Sequence, residues 1–258
     1  MQHSFCALKW VHDLCPSPPG GNPADTPFSR NIVESSRRVY AKPVNKKEPI
    51  SSKILERIYH RYAAPNSPLQ DLRTALIFVL GFSGLFRANE LLDLKTTDIS
   101  IKDRHLEIFV RKSKTDQYRG GNIVYIAKTN GQVCPHALLS RYYSLAGINA
   151  HTAQYIFRSL QSLQRPNDLS KQSDNHLSYT RCREIIKESL RAIGENPALY
   201  STHSLRSGGA TFMAEALEES QDKNRLIRLQ GRWKSESSRD MYIKDSIEKR
   251  LSLTKSLT

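Results

Sequence analysis

The strongest constraint on the fold is a nearly continuous apolar stretch, DLRTALIFVLGFSGLFRANELLDL, between residues 71 and 94. Its apolar residues recur at helical spacing and form a stripe wide enough for a buried helix: Leu72, Ala75, Leu76, Val79 and Leu80. We expect Gly81 and Gly84 to end this helix and Arg87 to begin the next one. Because Arg87 follows a buried helix directly, we expect its neighbours to hold it, with Glu90 three residues later.

The rest of the chain shows two kinds of periodicity. Helical patterns with an apolar side recur at residues 51–62, 135–145 and 180–193. Residues 98–128 instead alternate or carry β-branched runs, in the segments DISIKD, HLEIFVRKS and GNIVYIAK. Turn residues separate these segments, which predicts three short antiparallel strands. The expected fold class is therefore mainly α with a small three-stranded antiparallel β-sheet (α+β).

The charge balance points to a polyanionic partner. The 258 residues contain 39 Lys and Arg against 25 Asp and Glu, a formal net charge of +14. Such an excess favours nucleic acid as the partner. No apolar run reaches membrane-spanning length, and polar residues interrupt the N-terminus where a signal peptide needs an apolar core. We therefore expect an intracellular protein with no membrane partner, nuclear if its host is eukaryotic.

Cysteine usage argues against a disulfide framework. The four cysteines are scattered without a CxxC pair, which suggests a reducing compartment: Cys6, Cys15, Cys134 and Cys182. His3 with Cys6 and His12 with Cys15 also permit a zinc site. Zinc pairs normally come from hairpin or loop knuckles, whereas residues 1–15, which contain these pairs, have the apolar spacing of a short helix. We expect no metal and no cofactor.

The C-terminal part of the chain carries polar groups that make sense at one site. His203 and Arg206 stand three residues apart in STHSLRSGGATFMAEA, so a helix starting near Thr202 places both on one face. The segment GRWKS then supplies Trp233, and Tyr242 follows nine residues later in a second predicted helical segment. An imidazole, a guanidinium, an indole N–H and a phenol are suited to surround a phosphodiester, and none of them requires a metal.

HSLRSGG, GRW and the tyrosine nine residues after the tryptophan resemble the active-site signature of the tyrosine recombinases, also called the phage integrase family. The tryptophan variant is similar to Cre-type enzymes and to the recombinases of DIRS-type retrotransposons. GLFRANELLDL is similar to the family's first-arginine motif. The resemblance covers residue 48 to the end of the chain and implies that Arg87 is the first catalytic arginine, supported by Glu90.

The resemblance also implies the remaining roles. Tyr242 would be the nucleophile that forms a 3′-phosphotyrosine link, and Arg206, His203 and Trp233 would complete the cage around the phosphate. In the family, a β-hairpin delivers a lysine that acts as general acid. In the hairpin SKTDQYRGG we favour Lys114, with Lys112 as the competitor. Type IB topoisomerases share related chemistry but usually have larger chains, and the wording of the motifs favours a recombinase.

Domains and partners follow from the same resemblance. Residues 1–43 would be a remnant of a helical core-binding domain plus linker, and residues 44–258 the catalytic domain. The partner would be double-stranded DNA. The segment after Tyr242, with Ile243, Ile247 and Leu251 at helical spacing, would dock on a neighbouring protomer of a tetramer or fold back on its own domain. Because the N-terminal region is short, a mobile-element-derived DNA-binding protein without recombination activity is the alternative function.

Overall fold

The computed structural model describes most of the chain. The described residues are 2–15, 21–41, 45–113, 120–149, 152–158, 176–216, 222–247 and 250–251, with the side chains of residues 2 and 3 excepted. The chain divides into two compact units, Met1–Lys46 and Lys47–Thr258. In the described ranges, no helix is both long and apolar enough to cross a membrane.

The smaller unit is a pair of helices, α1 (Gln2–Leu14) and α2 (Pro27–Val39), joined through a 3₁₀ turn at Pro23–Asp25. Asn22 caps this turn and donates a hydrogen bond to the Lys9 carbonyl of α1 at 3.0 Å. Cys6 and Cys15 are exposed. Across the described side chains, His3 not among them, no group of three His, Cys, Asp or Glu converges as metal ligands do.

In its described ranges the larger unit has eight further helices, one of which is buried at the centre, besides the helical residues 247, 250 and 251. They are α3 (Ser52–Tyr62), α4 (Leu69–Ser83), α5 (Ala88–Leu92), α6 (Pro135–Leu145), α7 (Tyr179–Ala192), α8 (His203–Ala216), α9 (Lys223–Gly231) and α10 (Glu236–Asp240). Helix α4 is buried throughout Leu72–Phe82 and packs against α3, α6 and α8. The predicted central helix is therefore present. The prediction that Gly81 ends this helix is wrong, because Gly81 lies inside α4. A Cβ added at Gly81 would come within 2.9 Å of Leu205.

The predicted sheet is present as β1 (Ile99–Ile101), β2 (His105–Val110) and β3 (Asn122–Ala127), antiparallel in the order β1-β2-β3. Alternate side chains of β2 and β3 enter the core: Leu106, Ile108, Val124 and Ile126. In the register, Leu106 faces Ile126 and Ile108 faces Val124, so the buried face is continuous across both strands. The mainly helical fold with one small antiparallel sheet is confirmed.

Helix α8 packs unusually closely against its neighbours. A Cβ added at Gly208 would lie 2.0 Å from the Ile50 carbonyl oxygen, and one at Gly209 would lie 2.1 Å from that of Phe82. The Ile50 N–H also donates to the Ser204 carbonyl at 2.9 Å. These contacts press the first two turns of α8 against the end of α4.

The segment around Tyr242 differs from the prediction. Tyr242 lies in a turn after the five-residue helix α10, and residues 243–246 are not helical. The chain turns because the Tyr242 N–H bonds the Arg239 carbonyl at 2.9 Å, and the Lys244 N–H then bonds Thr211 Oγ1 of α8 at 3.0 Å. Among the described residues after the turn, 247, 250 and 251 are helical, so Ile243 does not share a helical stripe with Ile247.

Candidate active site

A cavity of about 780 Å³ opens where five segments of the larger unit meet. These are the start of α5, the end of β2, the first residue of α7, the start of α8 and the chain from α9 to the turn after α10. The predicted site residues that line the cavity are Arg87, Glu90, Lys112, His203, Trp233 and Tyr242. Side chains separated by up to 155 positions therefore converge on one place.

Arg87 is fixed by the start of α5. It is the N-cap residue, and its backbone N–H donates to Glu90 Oε2 at 2.9 Å. Its Nη1 donates to Glu90 Oε1 at 2.6 Å and to Ser113 Oγ at 2.9 Å. One carboxylate therefore accepts from the backbone N–H at the start of α5 and also orients the Arg87 guanidinium.

Arg206 lies one turn into α8 and is completely buried. Its guanidinium donates to the carbonyls of Leu85 and Gly231 and lies 3.9 Å from Glu90 Oε2. Burial, joined by the like charges of Arg232 and Arg87, lowers the pKa of Arg206 to about 9, so it remains charged at neutral pH. The positive charge of Arg206 is thus buried in the protein interior and only partly compensated by its neighbours.

Two rings lie against the Arg206 guanidinium, and the His203 ring lies beside one of them. Its Cζ atom is 4.5 Å from the Trp233 ring centroid and 5.1 Å from that of Tyr242, distances typical of cation–π contact. The Trp233 and Tyr242 rings are 5.3 Å apart, and the His203 ring is 6.4 Å from the Tyr242 ring. The structure therefore brings together Arg206, His203, Trp233 and Tyr242, as the sequence predicted.

The buried donors at this cluster are not all satisfied. Trp233 Nε1 and Arg206 Nε have no hydrogen-bond partner within the part of the chain that the structure describes. Unpaired buried donors are rare in folded proteins because each one loses its hydration without compensation. Both belong to residues of the predicted site.

The two candidate lysines differ in what the structure describes. Lys112 follows β2, is exposed and lines the cavity. Lys114 lies outside the described residues. The choice between them remains a prediction.

Arg232 also belongs to this cluster, although the sequence did not predict it as a site residue. This residue ends α9 with φ at +55°, a left-handed conformation uncommon for a side chain other than glycine. It is buried and donates to Glu90 Oε2 at 2.7 Å and to the Leu85 carbonyl at 3.0 Å. The only signal in the sequence was its place directly before Trp233, since nothing local marks one of 39 cations as buried.

Glu90 is the hub of the cluster. Burial alone raises the pKa of this carboxyl, but the charge of Arg232 and the hydrogen bonds from Arg87 outweigh it, so the pKa of Glu90 lies below its usual range. The carboxylate is therefore ionised at neutral pH. It contacts Arg87 and Arg232 directly and Arg206 at longer range.

Known proteins are similar to this chain in sequence and in fold. A profile of the phage integrase family matches residues 48–248. The integrase/recombinase xerD homolog of Selenomonas ruminantium is 27% identical over 223 residues, which cover 86% of this chain and 61% of that protein. This chain thus spans less than two thirds of the length of that relative.

Two solved structures have a similar fold at low sequence identity. The XerH site-specific recombinase in a post-cleavage complex with a palindromic difH substrate has a TM-score of 0.60 and 16% identity, covering 83% of this chain and 54% of XerH. A lambda integrase dimer bound to a COC′ core site has a TM-score of 0.54 and 16% identity, covering 95% of this chain and 61% of that one. Since the family profile matches well over half of the sequence, the chain belongs to the phage integrase family, the tyrosine recombinases.

Proposed function

We propose that this chain is a site-specific DNA recombinase or integrase that cleaves and rejoins DNA strands through a 3′-phosphotyrosine intermediate. The observation that carries the proposal is the convergence of a guanidinium, an imidazole, an indole and a phenol on one cavity, with a second, buried guanidinium in contact with the indole and phenol rings. These groups belong to Arg87, Arg206, His203, Trp233 and Tyr242. Together they supply a nucleophile, a proton acceptor and fixed positive charge for a phosphodiester.

The two arginines stabilise the charge that develops during attack. A phosphodiester gathers negative charge on its non-bridging oxygens as a fifth oxygen approaches phosphorus. Arg87 and Arg206 offer planar donors whose charge persists at neutral pH. One preorganised donor aimed at such an oxygen is worth about 3–4 kcal/mol of transition-state stabilisation. The unpaired N–H of Trp233, which lines the cavity, supports a phosphate oxygen as its missing acceptor.

Tyr242 forms the new bond. Its phenol oxygen attacks phosphorus, the bond from phosphorus to the 5′ oxygen breaks, and the phenol proton passes to His203, whose ring lies 6.4 Å away. Since a free tyrosine has a pKa of about 10, this proton must be removed during attack. Lys114, or Lys112 in its place, protonates the departing 5′ oxygen. A second 5′ hydroxyl reverses the step, so strands are exchanged without ATP.

Double-stranded DNA is the proposed partner. The net charge of +14 favours a polyanion. The XerH and lambda integrase structures are complexes with DNA, and the latter contains a dimer. By analogy, the chain would act wherever its host keeps DNA, which is the nucleus in a eukaryote.

The domain and assembly proposals rest on the two ends of the chain. We propose that residues 1–43 are the remnant of a core-binding domain plus linker and that residues 44–258 are the catalytic domain; the compact units divide between residues 46 and 47. We also propose that the C-terminal helix docks on a neighbouring protomer of a tetramer, because Ile247 and Leu251 are 71% and 50% exposed. Ile247→Asp should then weaken assembly on DNA in sedimentation experiments without changing the cleavage chemistry, whereas unchanged assembly would favour a tail packed on its own domain.

The decisive experiment is a suicide-substrate assay with nicked duplex DNA, using a library of sequences or the flanks of the encoding locus. The native chain should form a covalent protein–DNA adduct that Tyr242→Phe abolishes. Tyr125→Phe is the matched control, because this phenol is exposed on β3 and does not line the cavity. Salt-sensitive binding without an adduct in every variant would instead indicate the alternative, a DNA-binding protein derived from a mobile element.

A further inference from the structure

Arg232 does not line the cavity, yet it is almost completely buried and has an uncommon backbone conformation. Its side chain is 3% exposed, and its backbone adopts the left-handed conformation at φ +55°. Strained backbone of this kind persists only where the surroundings determine it, and it is enriched at functional sites. The guanidinium donates to the carbonyls of Gly84, Leu85 and Gln230, at 3.2, 3.0 and 2.9 Å, and to the site residue Glu90 at 2.7 Å. It also lies over the Phe86 ring, with Cζ 5.1 Å from the ring centroid.

Arg232 raises the net positive charge of the cluster that Arg87, Glu90 and Arg206 form. Arg87 and Glu90 are 2.6 Å apart and largely cancel each other as seen from a distance. If Glu90 had no other cation, the buried cluster would offer an incoming phosphate the net charge of Arg206 alone, beside the charged side chains of the cavity lining, Lys112, Lys234 and Asp93. With Arg232 bound to the same carboxylate, three guanidiniums face one carboxylate.

The chemistry proposed above has a matching requirement. A phosphodiester carries one negative charge and acquires about one more as a five-coordinate phosphorus forms, so the transition state resembles a dianion. Two uncompensated positive charges meet that demand. Glu90 is nevertheless needed, because its carboxylate caps α5 and orients the Arg87 guanidinium.

We propose that Arg232 is a positioning residue that neutralises Glu90, so that Arg87 and Arg206 keep their full positive charge for the phosphate. The proposal rests on the proposed function for its substrate, a phosphodiester, but its physical content is the affinity of the cavity for a phosphate group. Arg232 also donates to the Leu85 carbonyl that Arg206 uses, which ties both guanidiniums to the same turn.

Charge neutralisation can be separated from simple structural support by a compensating substitution. Arg232→Gln keeps hydrogen-bond donors near the three carbonyls but removes the charge, so Glu90 is left to cancel Arg87. Adding Glu90→Gln removes the carboxylate as well, while its amide oxygen can still accept from the α5 N-terminus. If Arg232 served only to stabilise the fold, adding Glu90→Gln would weaken phosphate binding further. If it neutralises Glu90, the second change restores the charge offered to an anion.

The measurement is a fluorescence titration with inorganic phosphate in a Trp10→Phe background, where Trp233 is the only tryptophan and lies 4.5 Å from Arg206. We expect Arg232→Gln to weaken phosphate binding by about tenfold or more, and Arg232→Gln/Glu90→Gln to recover to within about threefold of the parent. Arg225→Met, which removes an exposed charge from the same helix, should leave binding within about twofold. Thermal unfolding of each variant shows that it is folded.

Three results would overturn the proposal: no phosphate binding in the parent, unchanged binding in Arg232→Gln, or no recovery in the double variant. Arg232→Lys is the second variant in case Arg232→Gln does not fold. It keeps the charge and should bind phosphate within about threefold of the parent, so a tenfold loss would also contradict the proposal. The suicide-substrate assay on the same proteins should follow the same order. A parent that binds phosphate in this order but forms no adduct would refute the proposed recombinase activity and leave the role of Arg232 intact.

Discussion

The two sides of the candidate site are built in opposite ways. On one side, Glu90, Arg206 and Arg232 keep at most 4% of their side chains exposed and are bonded to each other or to backbone carbonyls. On the other side, Lys112 is exposed, and Tyr242 follows a five-residue helix in a turn. One side is part of the core, whereas the other is attached to short elements at its edge.

Helix α8 shows the contrast within a single turn. His203, its first residue, is exposed, whereas Arg206 is completely buried. In the proposed mechanism, the charge-stabilising groups on the buried side are thus fixed before a substrate arrives, which is the condition for electrostatic preorganisation. The proposed proton acceptor and nucleophile, His203 and Tyr242, lie instead at the exposed start of α8 and in a turn. We therefore expect substitutions on the open side to change the rate alone, and those on the buried side to change stability as well.

After loss of the Tyr242 phenol, the largest effect on the rate should come from loss of the proposed general acid, Lys114. Lys114→Ala should slow cleavage by about 10²–10⁴-fold, and a substrate with sulfur at the 5′ bridging position should restore the rate, because a thiolate leaves without a proton. Lys112→Ala is the matched comparison. Since Lys112 is exposed, its loss should change the free energy of unfolding by less than about 0.5 kcal/mol. Sulfur rescue of Lys112→Ala instead would reassign the acid, and a large drop in its stability would break the contrast.

On the buried side, Glu90→Ala should be strongly destabilising. It removes the carboxylate shared by Arg87 and Arg232 and leaves buried cations without compensation. We expect a loss of about 3–5 kcal/mol in the free energy of unfolding, measured by denaturant titration. Glu107→Ala, on the partly exposed side chain of β2, is the control and should cost less than about 1 kcal/mol. A small effect of Glu90→Ala would mean that the cations are hydrated in solution.

Arg206→Met should separate activity from stability. The lowered pKa of Arg206 means that the folded state disfavours its charge, through burial and through repulsion from Arg232 and Arg87. Methionine fills similar space without charge, so we expect cleavage to fall about 10²–10³-fold while the free energy of unfolding rises by about 1–3 kcal/mol. Parallel losses of rate and stability would show that the bonds to Leu85 and Gly231 outweigh the repulsion.

The smallest effect is a pH dependence of stability. The pKa of Glu90 is lowered by folding, so its stabilisation is complete above its usual value of about 4.3 and is lost as the pH falls through the folded-state value. The difference in unfolding free energy between the native chain and Glu90→Gln, measured by denaturant titration at a series of pH values, should therefore shrink on acidification from neutral pH. A difference that grows toward acid would contradict the ionised carboxylate.

Several elements could be predicted because their signals are local. The apolar stripe of α4, the alternation in β2 and β3 and the helical pattern of residues 51–62 each depend on residues within one element. The errors occurred where a distant contact overrode the local pattern. Gly81 did not end α4, because it packs on Leu205, and the helix expected at Tyr242 gives way to a turn where Lys244 bonds Thr211.

By itself, the sequence determined which chemical groups are present, in what order, and on which kinds of elements, because residue type and periodicity are properties of short segments. Only the tertiary structure decided which cations are buried and which carboxylate they share. Arg232 and Glu90 are 142 residues apart, yet their side chains are in contact at 2.7 Å. Burial and ion pairing depend on such non-local packing, so one arginine among many became part of the site only when the chain folded.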